Sequence, residues 1–494
     1  MHTDVLPAGS TADAYRRRLE RYLTAMDLGR PDRVPVRLGL GDVAAGYAGM
    51  TKQEVFYDLD RNLAAARFVA DRFDLDLAPG SPSEYWAPLM DGVNAVYYRF
   101  PGRDLPPDGQ FQFVEGEYML AADYPAFIAD PTAWILETYL PRVQREMAEP
   151  GSVRAQLALV RGTAAAAHLS ARRRELQQVM ALEHGLPPST SGKAYAPFDV
   201  LGDKLRGMRG VLLDVHRRPE QLLEAADMLV GHVIHKILSG ARGDTTLPAQ
   251  MPLHRGAYPF LSPAQWERFY WPSLRKVIEG LWSVGKRTMF VAEADWTPYL
   301  ASIADLPARS IVFHVDQTDL PTAAHLFKDR FCLTGNVPNH LLAYGTPSDV
   351  RDYTHRLVET YAGDGGFIVA AAAGIMDPVR LENVEALVDA AHELALGTSP
   401  TASSDGAGAT SAHPRDLGWP AGVARAAPAL ADPRPASSGS PTSGDVAGCL
   451  PGVCVPWSTI ADHLGQVKGD VELVRREWER LDELAYSYLW SWIA

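Results

Sequence analysis

From Ser262 onward, apolar and polar positions switch between two periods. Short apolar runs at 288–293, 310–316, 330–337 and 367–371 are separated by segments whose apolar residues recur at 3-4 spacing. The first pattern predicts buried strands, the second amphipathic helices. Helix starts are marked too. Ser262-Pro263, Thr346-Pro347 and Asp377-Pro378 set a capping residue before a proline, which costs nothing at the first helical position. The helix opened by Ser262 buries Trp266, Phe269, Tyr270, Leu274, Val277, Ile278 and Leu281 and stops at Gly285. Shorter helices are predicted over 298–306 and 321–328. Toward the N-terminus the pattern predicts a helix from Thr11, a strand at 34–38, one helix over 51–73 and a strand at 75–78. Residues 124–240 are mostly helical by pattern. Alternating βα units mean a parallel sheet. Their number, with no dinucleotide fingerprint after the first strand, favours a (β/α)8 TIM barrel over an open sheet. The expected fold class is therefore α/β: a barrel over residues 1–397 with a helical insertion.

Periodicity stops at residue 398. Residues 398–456 are mostly Ala, Gly, Pro, Ser and Thr, with no Lys or Glu and one aromatic, Trp419. Such a segment buries too little apolar surface to offset its ordering entropy, which predicts a disordered linker. Residues 457–494 then form a tail. In it Val471, Val474, Trp478, Leu481, Ala485, Tyr488 and Trp492 make a 3-4 stripe, an amphipathic helix capped by Asp470. Docking on its own barrel is one expectation; a homodimer or a partner protein is the other.

Charge narrows the function classes. Sixty Asp+Glu against 47 Lys+Arg give a net charge of −13, which argues against nucleic acid as the main partner. The basic runs Arg16–Arg18 and Arg172–Arg174 lie in helix-like segments and are expected to be solvated faces. Three cysteines, Cys332, Cys449 and Cys454, give no disulfide framework and fit a cytoplasmic setting. Cys449 and Cys454 alone are poor evidence for zinc. Residues 1–7 show no signal-peptide pattern, and the longest apolar run, 367–376, is about half a bilayer span, so no membrane role is expected. Walker, Gly-x-Ser-x-Gly and His-Glu-x-x-His motifs are missing, and Asp214-Val215-His216 lacks the glycine of a corrinoid motif because Pro219 stands there.

In a barrel, chemistry sits where strands end. Three consecutive predicted strands end in Glu293-Ala294-Asp295, His314-Val315-Asp316 and Gly335-Asn336. Carboxylates with a histidine can bind a divalent metal or divide acid and base roles between them. Glu293, Asp295, His314 and Asp316 are thus the expected catalytic residues, and Glu293, Asp295 and His314 the expected metal ligands. Arg37, Asp42, His254, Tyr258 and Asn336 are expected to bind substrate.

Six stretches, 30–36 (Arg-Pro-Asp-Arg-Val-Pro-Val), Leu261-Ser-Pro263, Gly335-Asn-Val337, Gly345-Thr-Pro347, Gly365-Gly-Phe-Ile368 and Glu382-Asn383, together resemble the uroporphyrinogen decarboxylase superfamily. That superfamily holds the decarboxylase and zinc-dependent, corrinoid-linked methyltransferases. The resemblance implies a (β/α)8 barrel with its site at the strand C-terminal mouth. Here Arg37-Leu-Gly-Leu-Gly-Asp42 replaces the decarboxylase Arg-Gln-Ala-Gly-Arg segment, and alanines 370–373 stand where it has a histidine. Glu293-Ala-Asp295 replaces the His-x-Cys of the zinc enzymes. The implied activity is a small-molecule enzyme of the methyl-transfer or demethylation kind, with any corrinoid supplied by a separate protein. Decarboxylation of uroporphyrinogen or another carboxylate, and a non-catalytic ligand-binding barrel with a docking tail, are the alternatives.

Overall fold

The computed structural model describes residues 10–376, 378–394, 450–464 and 469–494. Two short strands, β1 (Tyr98–Arg99) and β2 (Gln112–Phe113), form an antiparallel ribbon. The main sheet has five parallel strands: β3 (Ala249–Leu253), β4 (Thr288–Ala292), β5 (Ile311–Val315), β6 (Cys332–Val337) and β7 (Phe367–Ala371). They lie side by side in chain order. Alternation divides them between two cores. Phe290, Phe313, Leu333 and Phe367 pack in the large core with the helices. Met289, Val312, Cys332 and Ile368 meet Tyr22, Leu77 and Leu247 in a second, smaller cluster.

Both edges continue without becoming ladders. Val36 bridges Val369 in parallel, and Arg37 N–H donates to the Val369 carbonyl at 2.9 Å. On the far side Lys193 bridges Gln250. Residues 75–78 link the two edges: the Val36 N–H donates to Asp76 Oδ2 at 2.9 Å, and the Ala78 N–H to the Pro187 carbonyl at 2.8 Å. The expected strands at 34–38 and 75–78 are therefore single bridges and isolated hydrogen bonds, and among the described residues no closed eight-stranded ladder forms. Pro35, Pro187 and Pro188 lack the N–H a ladder needs, and the Asp76 side chain replaces a backbone acceptor. Strand β3 was not expected, because Pro252 interrupts its apolar run.

The expected helix over 51–73 is two helices, Lys52–Tyr57 and Leu59–Arg72. Asp58 separates them and caps the second by accepting from the N–H groups of Asp60 and Arg61. The Ser262 cap is present, and its helix passes through a π-helical turn, Trp266–Tyr270, before Trp271–Ser283. The last body helix is Leu381–Glu393; its expected cap, Asp377, lies outside the described residues.

Asp76 ties the start of the chain together. It is fully buried and bonds Arg21, Arg33 (3.0 Å) and the Val36 N–H. Burial alone would raise its pKa, but His392, Arg33, Arg21 and that N–H outweigh it and hold the pKa below the usual value. Its contribution is present above the unfolded pKa near 3.8 and is lost as pH falls through the lower folded value. We expect Asp76→Asn to cost about 3 kcal/mol at pH 7, read by urea denaturation, because buried Arg21 and part-buried Arg33 lose their shared buried counter-charge and keep only the exposed Asp32 and Asp74. The deficit should shrink in acid; an equal deficit at pH 2 and pH 7 would contradict this account.

Residues 398–449 of the expected linker lie outside the described residues. The tail holds two helices rather than the one expected, Trp457–Leu464 and Val471–Trp490, and Asp470 caps the second by accepting from Leu473 N–H. Only the end of the second helix docks. Val471, Val474 and Leu481 are exposed, whereas Tyr486, Tyr488, Leu489, Trp490, Trp492 and Ile493 are buried. Trp490 stacks on His232 with ring centroids 4.1 Å apart and donates its indole N–H to Thr132. Tyr486 pairs its hydroxyl with His232 Nδ1 at 2.6 Å. The hydroxyl of Tyr488 lies where a Cβ on Gly162 would project, so that close approach requires glycine. Among the described residues, no helix is long and apolar enough to cross a membrane.

Candidate functional site

Leu253 and Ala292 are paired at the ends of β3 and β4. The next residues, His254 and Glu293, therefore leave neighbouring strand ends, and His254 Nε2 lies 3.6 Å from Glu293 Oε1. The other ring nitrogen, Nδ1, meets Asp203 Oδ2 at 2.6 Å. Asp203 belongs to a π-helical turn, Val200–Leu205, which follows Pro197–Asp199. Asp199, also buried, accepts from the backbone N–H groups of His254 (3.1 Å) and Arg255 (2.7 Å) and from the Tyr270 hydroxyl (2.8 Å). Arg255 completes the cluster through Asp203, and its second arm reaches Glu115 at 3.1 Å. A Cβ on Gly202 would sit 2.8 Å from Arg255 Cγ, so glycine lets the arginine close in. Tyr195 flanks the imidazole, ring centroids 5.7 Å apart.

These contacts divide the protons unequally. Burial would lower the His254 pKa, but Asp203, Glu293 and Asp199 outweigh it and raise it to about 10. Burial and the charge of Asp203 push Asp199 up to about 6, against the opposing effects of His254 and Tyr270. Asp203 goes the other way: burial opposes its ionisation, and His254, Arg255 and Lys204 prevail. Two interacting carboxyls one helical turn apart are thus pushed in opposite directions beside an imidazolium, the usual groundwork for acid–base work.

Two of the expected residues belong to this cluster, Glu293 and His254. Asp295 and Tyr258 lie next to it, the Tyr258 N–H donating to the Asp295 carbonyl at 2.9 Å. The Asp295 carboxylate is turned back on its own chain, accepting from the N–H and hydroxyl of Thr297. His314 does not join them. It pairs in register with Val291, two residues before Glu293, roughly 6–7 Å deeper along the strand direction. Its Nε2–H donates to the Ala371 carbonyl at 2.7 Å, and Nδ1 faces Arg37 Nη1 at 3.5 Å. Burial and the Arg37 charge push its pKa down to about 3, so the ring is neutral. The expected metal set of Glu293, Asp295 and His314 is therefore corrected: among the described residues, no group of three His, Cys, Asp or Glu side chains is placed to hold a metal ion.

The remaining expected residues are dispersed. Arg37 is part-buried beside His314 and, among the described residues, has no carboxylate within 4 Å; its Nε is buried without a partner. Asp42 is held by Lys52 (3.3 Å) and Gln110 (3.0 Å). Asp316 accepts from the Ala294 N–H, and burial, opposed by that bond and reinforced by Glu293, raises its pKa. Asn336 accepts from Tyr353, and Asp316 and Asn336 border a separate open pocket of about 430 Å³. The sequence reading missed Asp199 and Asp203. Their i, i+4 spacing after Pro197 was the available signal, inside a stretch read only as helical.

A parallel α/β sheet with an acid–base cluster at its strand ends defines the class of protein. The family model for uroporphyrinogen decarboxylase (URO-D) matches residues 182–394. Over that stretch the chain is similar to a URO-D domain. Its structure is similar to a methyltransferase from Methanosarcina mazei, with a TM-score of 0.52 and 17% identity, covering 76% of this chain and 98% of that one. No curated protein matches the sequence.

Proposed function

We propose that the chain is a (β/α)8-barrel enzyme of the URO-D superfamily that removes or transfers a methyl group on a small molecule. The observation that carries this reading is His254, held as an imidazolium between Asp203 and Glu293 at the ends of β3 and β4. A methyl group leaves oxygen or nitrogen more easily when that atom is protonated, and His254 would act as the general acid. Asp203 would hold the ring and its charge, as Glu293 would from the open side. Arg37, part-buried and, among the described residues, without an acid partner, would receive an anionic group of the substrate. The similarity in fold to a methyltransferase supports the transfer class over decarboxylation. The barrel would close through the bridges at Val36 and Lys193 and the link at 75–78. Among the described residues no set of side chains fits a metal, so no step uses one. The methyl acceptor would be a corrinoid borne on a separate protein.

The test uses free cob(I)alamin as acceptor and a panel of methyl ethers, methylamines and methyl thioethers as donors. Methylcobalamin should appear in the visible spectrum with at least one donor, and His254→Asn should slow its formation by about 10²–10⁴-fold. Absence of methylcobalamin with every donor would overturn the proposal. The same preparation should give no coproporphyrinogen from uroporphyrinogen, since a single Arg37 cannot hold several acetates bidentately; turnover at an ordinary decarboxylase rate would reverse the two readings.

A further inference from the structure

Lys204 helps to hold Asp203 ionised and has no part in the proposed transfer. It follows Asp203 on the same π-helical turn and is 7% exposed. Its ammonium nitrogen lies 4.4 Å from the ring centroid of Phe113, 5.7 Å from that of Tyr98 and 5.6 Å from that of Tyr195. It donates to the Tyr98 hydroxyl at 3.4 Å. Among the described residues, no carboxylate comes within ion-pair distance. Glu84 is engaged by Lys193, and Asp203 by His254 and Arg255. Tyr85, Phe100 and Phe111 back the Tyr98 ring at centroid distances of 4.5, 5.9 and 5.4 Å.

Such a setting favours the neutral amine. Burial is the largest influence on Lys204; Glu84 and Asp203 oppose it, Lys193 and Arg255 reinforce it, and the pKa falls to about 8. The ring faces return part of the ammonium's lost hydration but supply no counter-charge. A desolvated lysine short of acid partners is a nucleophile at neutral pH. The Tyr195 ring lies 5.6 Å from this amine and 5.7 Å from the His254 ring, so a single ring stands between the nucleophile and the imidazolium.

We propose that Lys204 is a covalent carbonyl-binding site, its ε-amine condensing with an aldehyde or ketone group of a small molecule to form an imine. The amine lone pair forms the C–N bond while the carbonyl π pair moves to oxygen. That oxygen takes one proton from the attacking nitrogen and one from an acid, and leaves as water as the C=N bond forms. His254, on the other side of Tyr195, would give the proton, and the Tyr98 hydroxyl would relay the one on nitrogen. The step needs neither oxidant nor reductant. The aromatic wall would keep bulk water from hydrolysing the imine.

Two other lysines whose pKa is lowered by burial are built differently. Lys286 donates to three oxygens, of Ser191, Asp244 and Leu247. Lys236 donates to the Trp490 carbonyl beneath the docked tail. Neither stands beside an acid–base cluster.

The experiment treats the full chain with acetaldehyde or with pyruvate, reduces with borohydride and maps the adduct by mass spectrometry. At pH 7.5 an amine of pKa about 8 is neutral on the order of 100-fold more often than a surface lysine. Under limiting reagent, one adduct per chain is expected, on Lys204, and Lys204→Arg should lose it while keeping the thermal midpoint. If that variant misfolds, borohydride mapping of the unmodified protein decides alone. No adduct, an adduct first on Lys236 or Lys286, or labelling spread evenly over surface lysines would each overturn the proposal. The trap reads the amine whether or not a methyl group is transferred, so its outcome is independent of the transfer assay.

Discussion

A chain cut before Tyr486 is expected to lose its cooperative thermal transition. Residues 486–494 bury Tyr486, Tyr488, Leu489, Trp490, Trp492 and Ile493 against the body. At about 1.5–3 kcal/mol for each large side chain, their removal withdraws on the order of 10 kcal/mol, comparable to the whole stability of an ordinary domain. Polar groups would be stranded as well. His232 would lose both the Tyr486 hydroxyl and the Trp490 ring, and Thr132 its indole donor. A graded version is Trp490→Ala, expected to cost about 3–5 kcal/mol in urea denaturation. Val471→Ala on the same helix should cost under about 0.5 kcal/mol, because that end is exposed. A truncated chain that melts at the full-length temperature would show that the tail contributes nothing to the fold.

The tail shows how far pattern reaches. Its 3-4 stripe is correct as a helix, and Asp470 caps it, but the stripe does not tell which end is buried. Docking is decided by His232, Thr132 and Gly162, which sit hundreds of residues away and carry no local mark. The sheet behaves similarly. The apolar runs at 288–293, 310–316, 330–337 and 367–371 became β4 to β7, because buried parallel strands are continuous apolar runs. The strands at 34–38 and 75–78 failed as ladders, since prolines and the Asp76 side chain take over the hydrogen bonding there. At the site, reading strand ends found Glu293 but placed His314 with it. A strand end fixes a layer only to within a residue or two, and His314 lies two residues too deep. Asp199 and Asp203 lie on no strand, so the barrel rule could not reach them.

His254→Asn is expected to lower methyl-transfer turnover by about 10²–10⁴-fold, the range for loss of a general acid. Asp203 sets that acid's strength. It faces His254 Nδ1 at 2.6 Å from a buried position, whereas Glu293 is half exposed and 3.6 Å away. Asp203→Asn should therefore drop the His254 pKa from about 10 toward 6.5, and Glu293→Gln should move it less. Two measurements follow the shift. In wild-type protein the alkaline limb of the rate profile should fall near pH 10; in Asp203→Asn it should move toward neutrality. Stability should follow the same window. A histidine raised in the folded state contributes fully below its unfolded pKa near 6.5, and that contribution is lost as pH rises through 10. Asp203→Asn should flatten this loss between pH 7 and 10, seen as urea midpoints that no longer track the wild-type decline. Proton NMR of the His254 ring reads the pKa directly and without any substrate. A wild-type value below 7, or one unchanged by Asp203→Asn, would remove His254 from its proposed role as the acid.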